Sequence, residues 1–403
     1  MTDISTDTDI TVRAGVRATY AAFIATGFAF ATWASRIPQY RDRLSLDPSQ
    51  LGLVLLAIAA GSLIALPLSG LIVSRYGSRR TVTVMVFTSA TALAVVALGY
   101  IIGVLPVVIG LFIFGFAQGA WDVAMNVQGA LVERRLGRAI MPRFHAGFSV
   151  GTVGGALVGA AMVALHVPVT VHLGVAAVLI AGIVPLAVRG FLPDANDPDH
   201  PDQQDGGSRR RALSAWREPR TLLVGIFVLC FAFAEGTGND WTSIALIDGY
   251  QTSAAVGTLG FATFLAAMTA GRWFGPSLLD RYGRVVVLRV MSAISAAGVV
   301  LFVFGGVTPV AFVGAILWGA GLSLGFPVGM SAGADEPAMA APRVSVIASI
   351  GYCAFLAGPP LIGFLGDHFT VLRALTTVAV LLAIAVLLAG WTRPPVGATE
   401  PGH

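Results

Sequence analysis

Lysine is absent from this sequence: all 25 basic residues are arginine. Charge of either sign is scarce, at 11% of 403 residues, against about 25% in soluble domains. Cysteine occurs twice, at Cys230 and Cys353. The shortage of charge excludes a soluble globular domain of this length, which needs far more polar surface to cover its core. Each cysteine stands alone in an apolar run with no Cys-x-x-Cys or Cys/His spacing. That excludes a disulfide framework and a zinc site, so two inert, buried thiols are expected. The chain has no G-x-S-x-G, no H-E-x-x-H and no Walker loop, so no hydrolytic, metallopeptidase or ATP-driven chemistry is indicated and no cofactor is called for. The opening stretch Met1 to Asp9 is polar and mildly acidic, without the basic start of a secretory signal. The first apolar run is therefore read as a retained helix.

What the chain has instead is apolar length. Apolar residues make up 56% of it and the mean hydropathy is +0.81. Most of its apolar runs reach the ~18–20 residues that a helix needs to cross the hydrocarbon of a bilayer. Spans are placed at 16–36, 51–73, 81–102, 105–128, 144–166 and 170–190, then at 221–247, 254–279, 285–305, 309–332, 343–366 and 371–391. Between the two sets lies the most polar stretch, Leu192 to Arg220, with five aspartates, four prolines and the run Arg209-Arg210-Arg211. Such a segment cannot bury enough apolar surface to fold alone and reads as a flexible linker. The expected organisation is a six-helix bundle over 1–191, a linker over 192–220, and a second six-helix bundle over 221–403.

The arginines orient these spans. With the N-terminus inside the cell, twenty arginines fall on the cytoplasmic side and four on the opposite face (Arg36, Arg41, Arg43 and Arg373), while Arg272 falls inside a span. Positive charge held on one side fixes topology, so both termini and the linker are expected in the cytoplasm and the protein in the inner membrane. A basic pI near 9.4 is thus explained by short loops between spans, with the lipid bilayer rather than nucleic acid as the partner.

The two halves repeat a turn. After the second span comes Gly70-Leu-Ile-Val-Ser74-Arg75-Tyr-Gly77-Ser-Arg79-Arg80, and after the eighth comes Gly275-Pro-Ser-Leu-Leu-Asp280-Arg281-Tyr-Gly283-Arg284. Glycine permits the tight turn, and the guanidinium groups can hold carboxylates, phosphates or the carbonyl ends of helices. Two such loops, six spans apart, resemble the signature motif of the major facilitator superfamily. The resemblance extends over the whole chain through the six-plus-six pattern and the linker. The first copy carries Ser74 where the family has aspartate, and the second sets Gly275 and Asp280 one residue further apart.

The resemblance implies an all-α membrane protein of twelve transmembrane helices in two pseudo-symmetric six-helix bundles, the major facilitator fold, working as a monomer. It also implies that Gly70, Arg75, Gly77 and Arg79, with Asp280, Arg281, Gly283 and Arg284, form the loops that switch conformation. Thr32 to Pro38, Trp121 to Gly129 and Glu235 to Trp241 are similar to a bacterial branch of inner-membrane proteins related to the fucose permeases. That branch implies proton-linked transport of a sugar-like solute.

Ionisable groups inside spans mark candidate sites, because each costs about 2.5–3.5 kcal/mol at mid-membrane on insertion scales. Gln118, Asp122 and Asn126 recur at i, i+4 and i+8 on the fourth span, flanked by Trp121. This stripe can hydrogen-bond a solute while Asp122 takes and releases a proton; alternatively Asp122 is held permanently by an arginine such as Arg272. Asp122 is expected ~5–8 Å to the cytoplasmic side of the helix midpoint. On the seventh span Glu235 and Asn239 share a face near Asp240 and Trp241. Glu235 is the second candidate for proton coupling, or else a protonated side chain bonded to a carbonyl. Trp33 offers a surface for stacking on a sugar ring. Arg36 either draws solute into the outer vestibule or extends to headgroups. His145 stands at the cytoplasmic mouth of span 5, and Glu133 is expected to partner Arg134 and Arg135. Gly115, Gly119, Gly151, Gly154, Gly155, Gly319, Gly321 and Gly325 let helix backbones approach closely, and Pro327 and Pro359 kink their helices.

Three functions remain to be weighed. Proton-linked uptake of a small sugar-like solute is favoured by the polar faces of spans 4 and 7. A proton-antiport exporter of amphipathic compounds would use the same features. Against it, Gly151-Thr-Val-Gly154-Gly155 in span 5 has no proline where drug antiporters carry a Gly-Pro motif, and Gly358-Pro359-Pro360 falls in span 11. A membrane enzyme or sensor lacks both a catalytic motif and an appended domain.

Overall fold

The computed structural model describes residues 3–137, 140–194, 214–336 and 339–394; most of the expected linker, including Arg209 to Arg211, lies outside the described residues. Among the described residues the chain is helical, without strands, and twelve helices are long and apolar enough to cross a membrane. Spans 1 to 6 run Thr11–Arg43, Pro48–Tyr76, Ser78–Ile102, Val104–Leu136, Met141–Ala164 and Val169–Gly190. Spans 7 to 12 run Pro219–Tyr250, Ala254–Tyr282, Arg284–Phe304, Thr308–Gly333, Pro342–His368 and Val371–Thr392. Several exceed the apolar runs because polar residues extend a helix at its ends. Span 4 continues to Leu136, where Gly137 adopts a left-handed conformation (φ 63°) and caps it.

Local chemistry sets the other boundaries. Span 2 begins in a capping box: the Asp47 carboxylate accepts from the Gln50 amide at 2.7 Å, the Gln50 side chain accepts from the Asp47 N–H at 3.2 Å, and Pro48 opens the helix. The repeated turn is a repeat of backbone as well as sequence. Gly77 (φ 78°, ψ 158°) separates spans 2 and 3, and Gly283 (φ 79°, ψ 155°) separates spans 8 and 9. Both are at positive φ, which a residue with a Cβ adopts only at a cost. Span 1 breaks at Ser35-Arg36 and resumes as a short helix, Ile37–Arg43. Span 10 breaks at Ser323-Leu324 and resumes at Gly325. Pro327 lacks the N–H that would bond to the Ser323 carbonyl, so the ladder opens one turn ahead of the proline.

Contacts divide the chain into two compact units, Met1–Asp199 with Ser253–Ala262, and His200–Thr252 with Thr263–His403. In the first, span 4 packs on spans 2 and 3, span 5 packs along span 1, and span 6 packs on span 3. Missing side chains make the closest of these approaches possible. A Cβ at Gly61 or Gly115 would collide with the Phe112 or Ile58 carbonyl across the 2–4 interface, and one at Gly27 or Gly151 with the Phe148 or Ile24 carbonyl across the 1–5 interface. Gly154 departs from expectation: nothing lies within 4 Å of it, so it faces away from any partner helix. In the second unit, span 9 packs on spans 10 and 12, and span 7 packs on spans 11 and 12. Cys230 is buried there as expected. Cys353 is exposed, because it falls on the outer side of span 11 and its thiol turns back to the Ser349 carbonyl.

Candidate functional site

Span 4 holds its polar residues on one face, with small and aromatic residues turned into the packing around it. Asp122 is half-buried, and its carboxylate accepts a long 3.3 Å hydrogen bond from Asn126, whose amide also donates to the Asp122 carbonyl at 2.8 Å. One turn earlier, Gln118 donates to the Thr26 carbonyl on span 1 at 3.3 Å, while its own buried oxygen has no hydrogen-bond partner. The Thr26 hydroxyl bonds the Ala22 carbonyl and touches the Met125 sulfur at 3.6 Å. No guanidinium meets Asp122 among the described residues. Because the helix runs on to Leu136, its midpoint falls at residue 120, so Asp122 lies only about 3 Å past it. That places Asp122 closer to the helix centre than expected.

Span 7 carries the second polar face, and there the sequence reading missed a partner. Arg272 of span 8 donates through Nη2 to both Glu235 oxygens, at 2.9 and 3.0 Å. Its partner is therefore Glu235, not Asp122. The pair is partly open, with the Arg272 side chain 28% and that of Glu235 20% exposed. Asn239, one turn along span 7, has a buried side-chain oxygen without a hydrogen-bond partner, and Asp240 beside it is half-buried. Arg272 is the one arginine placed inside a span by the sequence reading. A charge in that position requires a compensating group, and this was the signal that could have found the pair.

The aromatic candidates point elsewhere. Trp121 and Trp241 are fully buried in helix packing, each with an indole N–H that has no hydrogen-bond acceptor. Trp33 is equally buried, its ring 4.9 Å from Tyr40, which in turn meets Tyr100 at 5.2 Å. Arg36 neither reaches a vestibule nor extends outward. It is 2% exposed, its Nε donates to His172 Nδ1 at 2.9 Å, and its Nη2 donates to the Val167 carbonyl at 3.2 Å. These bonds tie the break in span 1 to the start of span 6. His145 is exposed with its ring against Phe23 at 5.1 Å. Glu133 caps the start of span 5, accepting from the backbone N–H groups of Ile140 and Met141 at 2.7 and 2.8 Å.

The two repeated turns are anchored within their own units by different chemistry. Gly70 has open space around it, and Arg79, Asp280 and Arg281 are exposed. Arg75 lies 5.6 Å over the Tyr76 ring and Arg281 5.2 Å over Tyr282. Beside Gly77, Asp194 accepts from the Ser78 N–H at 2.6 Å, the Ser78 hydroxyl at 2.7 Å and Gln128 at 3.0 Å. Beside Gly283, Arg284 donates to Asp335 at 2.9 Å and to the Thr392 carbonyl at 3.0 Å, and Arg220 holds the second Asp335 oxygen at 2.6 Å. The first anchor joins the start of span 3 to Gln128 within span 4 and to Asp194 after span 6, and the second joins the start of span 9 to Asp335 just after span 10 and to the last residue of span 12. Ser78, Gln128, Asp194 and Asp335 were not singled out by sequence, since each acts through a tertiary contact.

Twelve apolar helices with sparse polar faces define a polytopic membrane protein, and relatives that it matches are named as transporters, which are not enzymes. The chain belongs to the Major Facilitator Superfamily, whose sequence profile matches residues 18–341. It is 30% identical to the uncharacterized transporter y4wD of Sinorhizobium fredii over 375 residues, covering 93% of this chain and 97% of that one. Its fold is also that of the crystal structure of the nucleoside transporter NupG, with a TM-score of 0.73 at 16% identity, covering 94% of this chain and 98% of that one. The fucose:proton symporter FucP of E. coli superposes with a TM-score of 0.64 at 16% identity, covering 93% and 98%.

Proposed function

We propose that this transporter takes up a sugar-like polar solute in symport with protons, by alternating access across the inner membrane. Both termini and the linker lie in the cytoplasm, and the working unit is one chain. The polar residues Gln118, Asp122 and Asn126 of span 4 and Glu235 and Asn239 of span 7 contact the solute, while Trp33, Trp121 and Trp241, buried in helix packing, hold their helices without touching it. The repeated turns Gly70 to Arg79 and Asp280 to Arg284 hold and release the conformational states. Support for the solute class comes from the amide and carboxylate groups on these faces, and from the nucleoside and fucose carriers that share the fold. The cytoplasmic placement is supported by the arginine asymmetry of the loops.

One observation carries the choice of coupling group. Of the two carboxylates considered for proton coupling, Glu235 is held by Arg272, whereas Asp122 meets only the neutral amide of Asn126 among the described residues. Proton uptake at Glu235 would strand a guanidinium inside the span. Proton uptake at Asp122 instead removes an uncompensated charge and lowers the cost of moving the loaded site through its closed state. Asp122 is thus the group that exchanges the proton.

The test is external pH in weakly buffered, de-energised cells expressing the protein as sugars and nucleosides are added. Alkalinisation with one of them, abolished in Asp122→Asn, is the expected result. Silence with all of them, together with acidification driven by an imposed gradient of an amphipathic drug, would replace symport with antiport export.

A further inference from the structure

We propose that Glu235, Arg272 and Asn239 form a binding site for a vicinal pair of hydroxyl groups on the solute. The inference rests on the reading that the chain carries a polar solute, and it narrows that solute to a neutral 1,2-diol such as a ribose or pyranose ring. All three residues belong to one compact unit, Glu235 and Asn239 on span 7 and Arg272 on span 8.

The geometry of the ion pair leaves bonding capacity unused. A carboxylate and a guanidinium that close on each other fully do so through two parallel N–H···O bonds from different nitrogens. Here Nη2 alone reaches both Glu235 oxygens, and Arg272 makes no other hydrogen bond among the described residues. The Nε and Nη1 donors of the guanidinium and lone pairs on both carboxylate oxygens remain available, on side chains that are 28% and 20% exposed. Asn239 adds a buried acceptor oxygen with no partner, about 6 Å along the helix axis from Glu235. A buried polar atom without a protein partner, one helical turn from an ion pair with unused bonding capacity, gives a polar ligand groups to complete.

The chemistry of the unused groups selects the ligand. The site presents donors and acceptors side by side with no net charge. Because the pair carries no net charge, it gives neither a cation nor an anion a net attraction. A solute with donors alone would leave the guanidinium unanswered, and one with acceptors alone would leave the carboxylate unanswered. Two adjacent hydroxyls answer both: one donates to Glu235 or Asn239 while its neighbour accepts from Arg272. Removing either hydroxyl leaves the spare donors of Arg272 or the spare lone pairs of Glu235 and Asn239 unanswered, so the site discriminates against the deoxy compound.

The experiment is binding to the purified full-length protein, comparing uridine with 2′-deoxyuridine and D-galactose with 2,3-dideoxy-D-galactose, neither deoxy compound keeping a vicinal diol. The diol of at least one pair is expected to bind about 10- to 100-fold more tightly than its deoxy partner. That preference should vanish in the double variant Glu235→Leu/Arg272→Met, which offers the solute neither donor nor acceptor and strands no charge. The single variant Asn239→Ala, which retains the ion pair, should weaken the preference, and it serves as the second test if the double variant fails to fold. Equal binding of diol and deoxy partner in every pair that binds would overturn the proposal and leave polar-solute transport standing. Undiminished discrimination in the variants would overturn the assignment to these residues. Absence of binding by every diol would overturn both this proposal and the sugar-like reading beneath it.

Discussion

Replacing Asp194 should loosen the whole end of the first unit, and replacement by asparagine should rescue little. Three donors converge on this carboxylate: the Ser78 N–H, the Ser78 hydroxyl and the Gln128 amide, at 2.6, 2.7 and 3.0 Å. Ser78 and Gln128 are fully buried, so water does not take over when the acceptor is lost. Each stranded donor costs about 1–3 kcal/mol. Gln128 keeps its bonds to the Leu192 carbonyl and the Ser78 oxygen at 2.7 and 2.9 Å and the hydroxyl can turn to another acceptor, so the Ser78 N–H is the donor left stranded and Asp194→Ala is expected to cost about 1–3 kcal/mol. Asparagine keeps one acceptor and adds an NH2 group. Gln128 cannot flip to receive it, because Leu192 fixes its orientation from both sides: the Leu192 N–H donates to Oε1 at 3.1 Å and the Leu192 carbonyl accepts from Nε2 at 2.7 Å. One donor-to-donor contact therefore remains in Asp194→Asn, which should lose at least half of the alanine effect. Thermal unfolding of the purified protein in detergent measures both. For a unit of roughly 200 residues the alanine variant should melt about 3–9 °C lower. An asparagine variant as stable as the unmodified chain would refute the reasoning, since it would mean that the amide orientation is not locked.

Other consequences are equally direct. Gly61→Ala puts a Cβ into the Phe112 carbonyl and should sharply reduce the yield of monodisperse protein, while Gly154→Ala, with nothing within 4 Å, should be neutral or stabilise its helix by about 0.5–1 kcal/mol. Either Glu235→Gln or Arg272→Gln alone strands a charge and should cost about 1–3 kcal/mol after allowance for partial exposure. The double variant should recover most of that, and a double variant whose melting point is the sum of the singles would show the pair to be uncoupled. Burial tends to raise the pKa of Glu218, but hydrogen bonds from Arg343 and Thr221 and the charges of Arg343 and Arg220 outweigh it, holding the group below its ordinary 4.5. A lowered carboxylate contributes stability that is complete above its ordinary value and is lost as pH falls through the lowered one. The melting point of the unmodified chain should accordingly fall more between about pH 6 and about pH 3 than that of Glu218→Gln.

The spans were legible because hydropathy is a local property. Twelve apolar runs remain twelve runs whatever their neighbours do, and the repeated Arg-Tyr-Gly turn found the same backbone at Gly77 and Gly283. Span ends were less legible, since helices continue through polar residues, as span 4 does to Leu136. The polar stripe of Gln118, Asp122 and Asn126 followed from helical periodicity alone. Partners did not: Arg272 is 37 positions from Glu235 and Arg36 is 136 from His172, and no spacing rule links residues across helices. Trp121 and Trp241 show the opposite error. An aromatic side chain beside a polar stripe reads as a wall of the site, yet both indoles are turned wholly into helix packing.

The central claim is that Asp122 exchanges the coupling proton while Glu235, held by Arg272, does not. The most direct measurement is the internal pH of proteoliposomes loaded with a trapped pH indicator, as an inward gradient of the transported solute is imposed. The account predicts acidification of the lumen with the unmodified protein and with Glu235→Gln wherever that variant still carries the solute. With Asp122→Asn it predicts solute exchange without acidification. Acidification by Asp122→Asn at the unmodified rate would contradict it.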